Sequence, residues 1–192
     1  MDHTPSTQSA LTSALWKRLA DYQIGPETAT LSFASRLSRE NRWEHDFTTR
    51  VINEYKRFCY LTVTAGEEVT PSDAVDQVWH LHLTYSREYW DEFCPKVLGA
   101  DLHHGPTAGG KHEKARFYDQ YAATLAAYEE AFGEAPPADI WPDAKRRFGR
   151  DPRAFRVNPK DVMILDRRHA ILGSALWIAI GMGLAAILGV IF

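Results

Sequence analysis

Apolar residues recur along this chain at the three- and four-residue spacing of amphipathic helices, not at the alternation of strands. Leu11, Leu15, Trp16 and Leu19 make a short stripe that the Gly25-Pro26 pair ends. A second short helix is predicted over residues 31–39, where Phe33 and Leu37 stand four apart. Trp43, Phe47, Val51, Tyr55, Phe58 and Thr62 then mark one face of a long helix reaching about Ala65. After the loop TAGEEVTPSD, Thr70 is expected to cap a helix with Pro71 at its first position and Asp73 in its first turn. A later helix is predicted from about residue 113 to 132, with Phe117, Tyr121, Leu125, Tyr128 and Phe132 along one side. No stretch alternates like a strand and no internal repeat appears. The expected fold is all-α: a compact bundle of four or five helices over residues 1–142, a Pro-containing connector over 143–169, and a C-terminal transmembrane helix over 170–192.

Charge sharpens the division at the C-terminal side. Net charge is −3 for the whole chain, yet residues 145–168 hold nine Lys/Arg against three Asp, a balance of +6, so the rest carries −9. This basic neck precedes 23 residues, 170–192, without a single charge. At about 1.5 Å of rise per residue they span a hydrocarbon core of about 30 Å. The pattern predicts a tail anchor that enters the membrane after synthesis. Lys160, Arg167 and Arg168 flank it on one side, and residues 1–24 lack the unbroken apolar stretch of an export signal, so the body is expected in the cytoplasm, at the inner membrane if the source is a bacterium. Cys59 and Cys94 would then be reduced thiols. Within the span Gly181, Ala185 and Gly189 recur every four residues, a groove for close helix pairing, which makes a homo-oligomer an expected partner alongside the lipid bilayer. An unidentified protein partner is expected as well, and nucleic acid is not.

The candidate chemistry sits in VDQVWHLHLTYSREYWDEFC, residues 75–94. On a helical wheel with Asp76 at zero and about 100° per residue, His80 falls at about 40° and Cys94 returns near zero if the helix lasts that long. His82 falls at about 240°, among Val75, Val78, Tyr85 and Tyr89. The two histidines therefore point to nearly opposite sides, and one ion cannot take both from a regular helix; a local π-bulge could realign them, although nothing in the sequence demands one. Downstream, CPKVLGADLHHGPTAGGKH adds His103, His104 and His112 on a Gly-rich loop able to fold back over the helix. A zinc site from His80, Cys94 and His103 or His104, with Asp76 orienting His80 and His82 as a further candidate, is chemically consistent. The plainer alternative makes His82 a hydrogen-bonded core histidine and Cys94 a small buried hydrophobe. An activated Cys94 thiolate is a third option. No Walker loop, nucleophile elbow, CxxC or HExxH pattern supports a particular reaction.

PSDAVDQVWHLHLTYSREYWDEFC, LGADLHHGP and YAATLAAYEEAFGEAPPADIWP together resemble the glycine-rich domain-containing protein-like family, over roughly residues 30–142. The residues that carry the likeness are Asp76, Trp79, His80, His82, Tyr89, Cys94, Gly99 and His103 or His104, and RWEHDFTTRVINEYKRFCYL is similar to the preceding helix of bacterial members. The resemblance implies a helical domain and no particular activity. The glycine-rich tail that names many members is missing. Two functions follow as expectations: a membrane-anchored cytoplasmic binding or assembly module that holds a metal through His and Cys, or a membrane-tethered metal-dependent enzyme of hydrolase type.

Overall fold

A computed structural model describes residues 13–26, 28–105 and 109–149. The chain divides into two units, 1–151 and 152–192, and every described residue belongs to the first. The expected anchor at 170–192, with Gly181, Ala185 and Gly189, lies outside the described residues, as do the connector from residue 150 onward and Leu11 of the first stripe. Among the described residues no helix is long and apolar enough to cross a membrane.

The described part is all-helical, with no strand. It contains seven α-helical segments: α1 (Ala14–Asp21), α2 (Phe33–Asn41), α3 (His45–Thr64), α4 (Asp73–Thr84), α5 (Ser86–Glu88), α6 (Gly110–Phe132) and α7 (Ala144–Gly149). A π-helix, Tyr89–Leu98, follows α5 directly. The four- or five-helix expectation thus undercounts the segments, because the motif region breaks into three and α7 falls in a stretch read as connector.

Helix α3 is the axis. Val51, Tyr55, Phe58, Cys59 and Leu61 are buried along it, and α1, α2, α4, α6 and the π-helix all pack against it. Each such side chain contributes about 1.5–3 kcal/mol relative to exposure. α6 leans on α3 through Tyr128 and Phe132, and α7 closes on α6 through Phe148, whose ring lies 5.9 Å from that of Tyr121. Trp141 is buried as well and donates from Nε1 to Glu54 Oε2 at 2.9 Å, so the chain after α6 is fixed to α3.

Where α4 starts differs from the expectation. Ser72, not Thr70, is the N-cap: its hydroxyl accepts from the Val75 N–H at 3.2 Å, and Pro71 lies outside the helix. Thr70 is instead held by α6, its N–H donating to Thr124 Oγ1 at 2.9 Å and its hydroxyl to Gln120 Oε1 at 3.0 Å. Two capping residues two apart compete here, and the contact with α6 decides between them. α4 buries Val75, Val78, Trp79, Leu81 and His82 and turns Asp76 and His80 the other way.

After α4 the backbone leaves the helical region at Tyr85, with φ −84° and ψ 48°. The chain resumes as α5 and widens into the π-helix, with Pro95 inside it. Proline has no N–H to give and its ring crowds the carbonyl four residues back in an α-helix, a conflict that wider π winding relieves. Gly99 ends the segment at φ 80°, its N–H bonded to Cys94 O at 2.8 Å. That left-handed conformation suits glycine and turns the chain back toward α4.

Candidate functional site

Three side chains converge where the returning loop meets the outer face of α4. Asp76 and His80 stand one turn apart on that face, and His104 arrives from the loop. His80 Nε2 lies 3.0 Å from His104 Nε2, His104 Nε2 lies 3.0 Å from Asp76 Oδ1, and His80 Nε2 lies 3.6 Å from Asp76 Oδ2. The His104 side chain is 24% exposed and that of Asp76 20%, whereas His80 is 48% exposed. The cluster is therefore rooted in the protein and open on the His80 side.

The loop is held by a chain of hydrogen bonds. Trp79 Nε1 donates to the Tyr89 hydroxyl at 2.9 Å, and that hydroxyl donates to Leu102 O at 2.6 Å. Leu102 is two residues from His104, whose ring packs edge-on against Trp79 with centroids 4.5 Å apart. Burial pushes the Tyr89 hydroxyl well above its ordinary value, so it stays a neutral donor. Trp79 and Tyr89 thus position His104 over Asp76 and His80.

The hydrogen-bond geometry is over-subscribed in a way that points to a cation. His104 Nε2 faces both a carboxylate oxygen and a second imidazole nitrogen, yet a ring nitrogen has one N–H or one lone pair. One cation shared by the three groups would accept a lone pair from each. Ligand atoms about 2.1 Å from an ion and about 90–110° apart stand roughly 3.0–3.4 Å from one another, the spacing of tetrahedral and octahedral sites. The two 3.0 Å separations at His104 Nε2 fit that spacing, and the 3.6 Å between His80 Nε2 and the other Asp76 oxygen is slightly longer.

The remaining candidates are placed elsewhere. Cys94 is fully buried on the π-helix against the Tyr89 hydroxyl and the Leu102 backbone. The wheel returned it to the Asp76 side only for an unbroken α-helix, and the break at Tyr85 with the π winding beyond it removes that register. Burial also pushes the Cys94 thiol up, the reverse of what an activated thiolate needs. His103 leaves the cluster to pack on Trp90, with centroids 5.0 Å apart. His112 is on α6, exposed. Asp76 offers an oxygen directly to the cluster rather than orienting His80 from behind.

His82 occupies the opposite face, fully buried, with its ring among those of Tyr22, Phe33, Tyr55, Tyr89 and Phe93. Its Nδ1 lies 2.9 Å from the Tyr55 hydroxyl and its Nε2 3.4 Å from Glu88 Oε1. Burial lowers the His82 pKa to about 3, so this imidazole is neutral. Burial raises the Glu88 carboxyl to about 7, Glu92 adding to the rise and the Gly25 backbone N–H opposing it. Sequence reasoning gave no reason to single out Glu88, since its burial depends on the chain returning past Gly25.

The two shifts act oppositely on stability. Neutral His82 takes up fewer protons folded than unfolded, so its contribution grows as pH rises from about 3 to its ordinary value of 6.5. Glu88 holds its proton longer when folded, so its contribution is full below 4.5 and is lost as pH rises to about 7. Glu88→Gln removes only the second effect. Relative to wild type, the variant is expected to gain stability on the order of 2–3 kcal/mol between pH 4.5 and 7. Urea unfolding across that interval checks it; a difference that does not change with pH contradicts the raised pKa of the partly buried Glu88.

A cavity of about 570 Å³ opens beside the cluster, and both Asp76 and His104 line it. α3 contributes Phe58 and Thr62 to its wall, the 67–71 segment its acidic side, α6 Arg116 and Phe117, and α7 Arg147 and Phe148.

One family model matches part of this chain. The UCP032817-like family, which is uncharacterised, matches residues 27–119, a span that runs from before α2 into α6 and contains Asp76, His80 and His104. This corrects the resemblance read from the motif: the matching family is not a glycine-rich domain family, and nothing in the match marks the chain as bacterial or membrane-anchored. Trp79, His82, Tyr89 and Cys94 of that pattern are buried packing residues, so the pattern by itself does not single out a family. No curated protein and no solved structure matches the chain.

Proposed function

We propose that the helical domain binds one divalent first-row transition ion through Asp76, His80 and His104. The observation that carries this is the approach of Asp76 Oδ1 and His80 Nε2 to 3.0 Å from one atom, His104 Nε2, an arrangement that hydrogen bonding alone serves poorly and coordination serves well. Two imidazoles and a carboxylate favour zinc or iron(II) over magnesium or calcium. Three protein ligands leave coordination positions free, as in catalytic rather than structural sites, and the adjoining cavity supplies room for a ligand. Both features favour the metal-dependent enzyme over the assembly module. Elemental analysis of the purified chain is expected to find close to one equivalent of zinc or iron, removable by a chelator. A metal content indistinguishable from that of a control protein prepared alongside contradicts the proposal.

The uncharged residues 170–192 behind a basic neck support a tether holding this domain at the cytoplasmic face of a membrane. Deleting them is expected to move the protein from the membrane pellet to the supernatant. Equal partition of the full and shortened chains argues against the tether.

A further inference from the structure

The cavity beside the three ligands carries its own chemical signature, separate from the ion. Its charged lining consists of Arg116 and Arg147 against Glu67, Glu68 and Asp76. Arg116 is already engaged, its guanidinium reaching Glu68 Oε2 at 3.2 Å and Glu113 Oε1 at 2.9 Å. Arg147 is not. Its Nη1 stands 3.6 Å from Asp73 Oδ1, too long for a hydrogen bond, and its Nε is buried with no hydrogen-bond partner. The side chain is 18% exposed, so water reaches the group poorly. A buried guanidinium N–H left without an acceptor is costly, and the fork of donors around it matches a carboxylate. The wall nearby is aromatic, with Trp79, Phe117 and Phe148.

From these features we infer that the cavity takes a small organic carboxylate with a flat apolar body, its carboxylate gripped by Arg147 and its body seated among Trp79, Phe117 and Phe148 beside the ion. The seat beside the ion rests on the metal reading above, since Asp76 and His104 line the same cavity. A phosphate dianion would bring a second negative charge to face Glu67 and Glu68. The volume of about 570 Å³ falls within the roughly 300–1,000 Å³ of small-molecule sites.

The test is calorimetric titration of the full chain, cobalt-loaded and chelator-treated, with benzoate, its neutral analogue benzamide, and phenyl phosphate. Benzoate is expected to bind at one site, with benzamide and phenyl phosphate each at least about tenfold weaker, as loss of a charge-assisted hydrogen bond or a second negative charge facing Glu67 and Glu68 implies. Arg147→Gln is expected to weaken benzoate at least about tenfold, and Arg147→Lys, which keeps a cation facing Asp73 but lacks the fork, by a smaller factor. In the cobalt-loaded chain benzoate is also expected to alter the visible absorption of the ion. Equal binding of benzoate and benzamide, tighter binding of phenyl phosphate, or wild-type benzoate affinity in both Arg147 variants overturns the inference. Cobalt uptake, measured in parallel, reports on the metal site separately: failure to take up cobalt rejects the ion, while the Arg147 dependence of benzoate binding still judges the anion site.

Discussion

Replacing His104 with alanine is expected to abolish stable metal binding while leaving the helical core folded. The imidazole is the hub of the cluster, within 3.0 Å of both other ligand groups, and the loop that carries it is held by Tyr89 and Leu102, which the substitution does not touch. Loss of a group that merely orients a ligand weakens metal binding by about 10–100-fold, so loss of a ligand costs at least about 100-fold. Asp76→Asn and His80→Ala are expected to weaken binding in the same range. Because the His80 side chain is half exposed, its removal from the metal-free protein should change stability by only about 0.5 kcal/mol. Competition against a chromophoric chelator reads the affinities. Retention of wild-type affinity by the His104 variant removes the loop from the site.

His82→Ala is expected to do the opposite: destabilise strongly and leave metal affinity alone. The substitution empties a fully buried space ringed by five aromatic side chains and takes away the partner of the Tyr55 hydroxyl, itself fully buried. The cavity and the orphaned hydroxyl together cost about 2–4 kcal/mol. Denaturant unfolding of the chelator-treated protein measures it. A loss no larger than that of His80→Ala would mean that His82 does not sit in the core as described.

The contrast between these two histidines was legible in the sequence. Counting about 100° per residue from Asp76 separates His80 from His82 without any coordinates, because α4 is regular from Asp73 to Thr84. The helices α2, α3 and α6 were legible for the same reason, each within a few residues of its expected ends. What the count could not carry was anything beyond Tyr85. One residue outside the helical region and a π-turn around Pro95 change the phase, so Cys94 appeared on the ligand face and lies in the core. His103 and His104 are adjacent in an irregular loop, where no periodicity distinguishes them. Trp79 and Tyr89 make the choice by fixing Leu102. Arg147 was hidden in a different way. It sits in a run of basic residues that reads as a neck, and only the packing of α7 on α6 turns it into a cavity wall.

The most direct measurement of the central claim is an anomalous-scattering difference map, recorded at the absorption edge of the metal, from crystals of the zinc- or iron-loaded protein. A single peak is expected about 2.0–2.2 Å from Nε2 of His80, Nε2 of His104 and a carboxylate oxygen of Asp76. A peak bound instead to Cys94 or His103, or no peak at this cluster in protein shown to contain the metal, would contradict it.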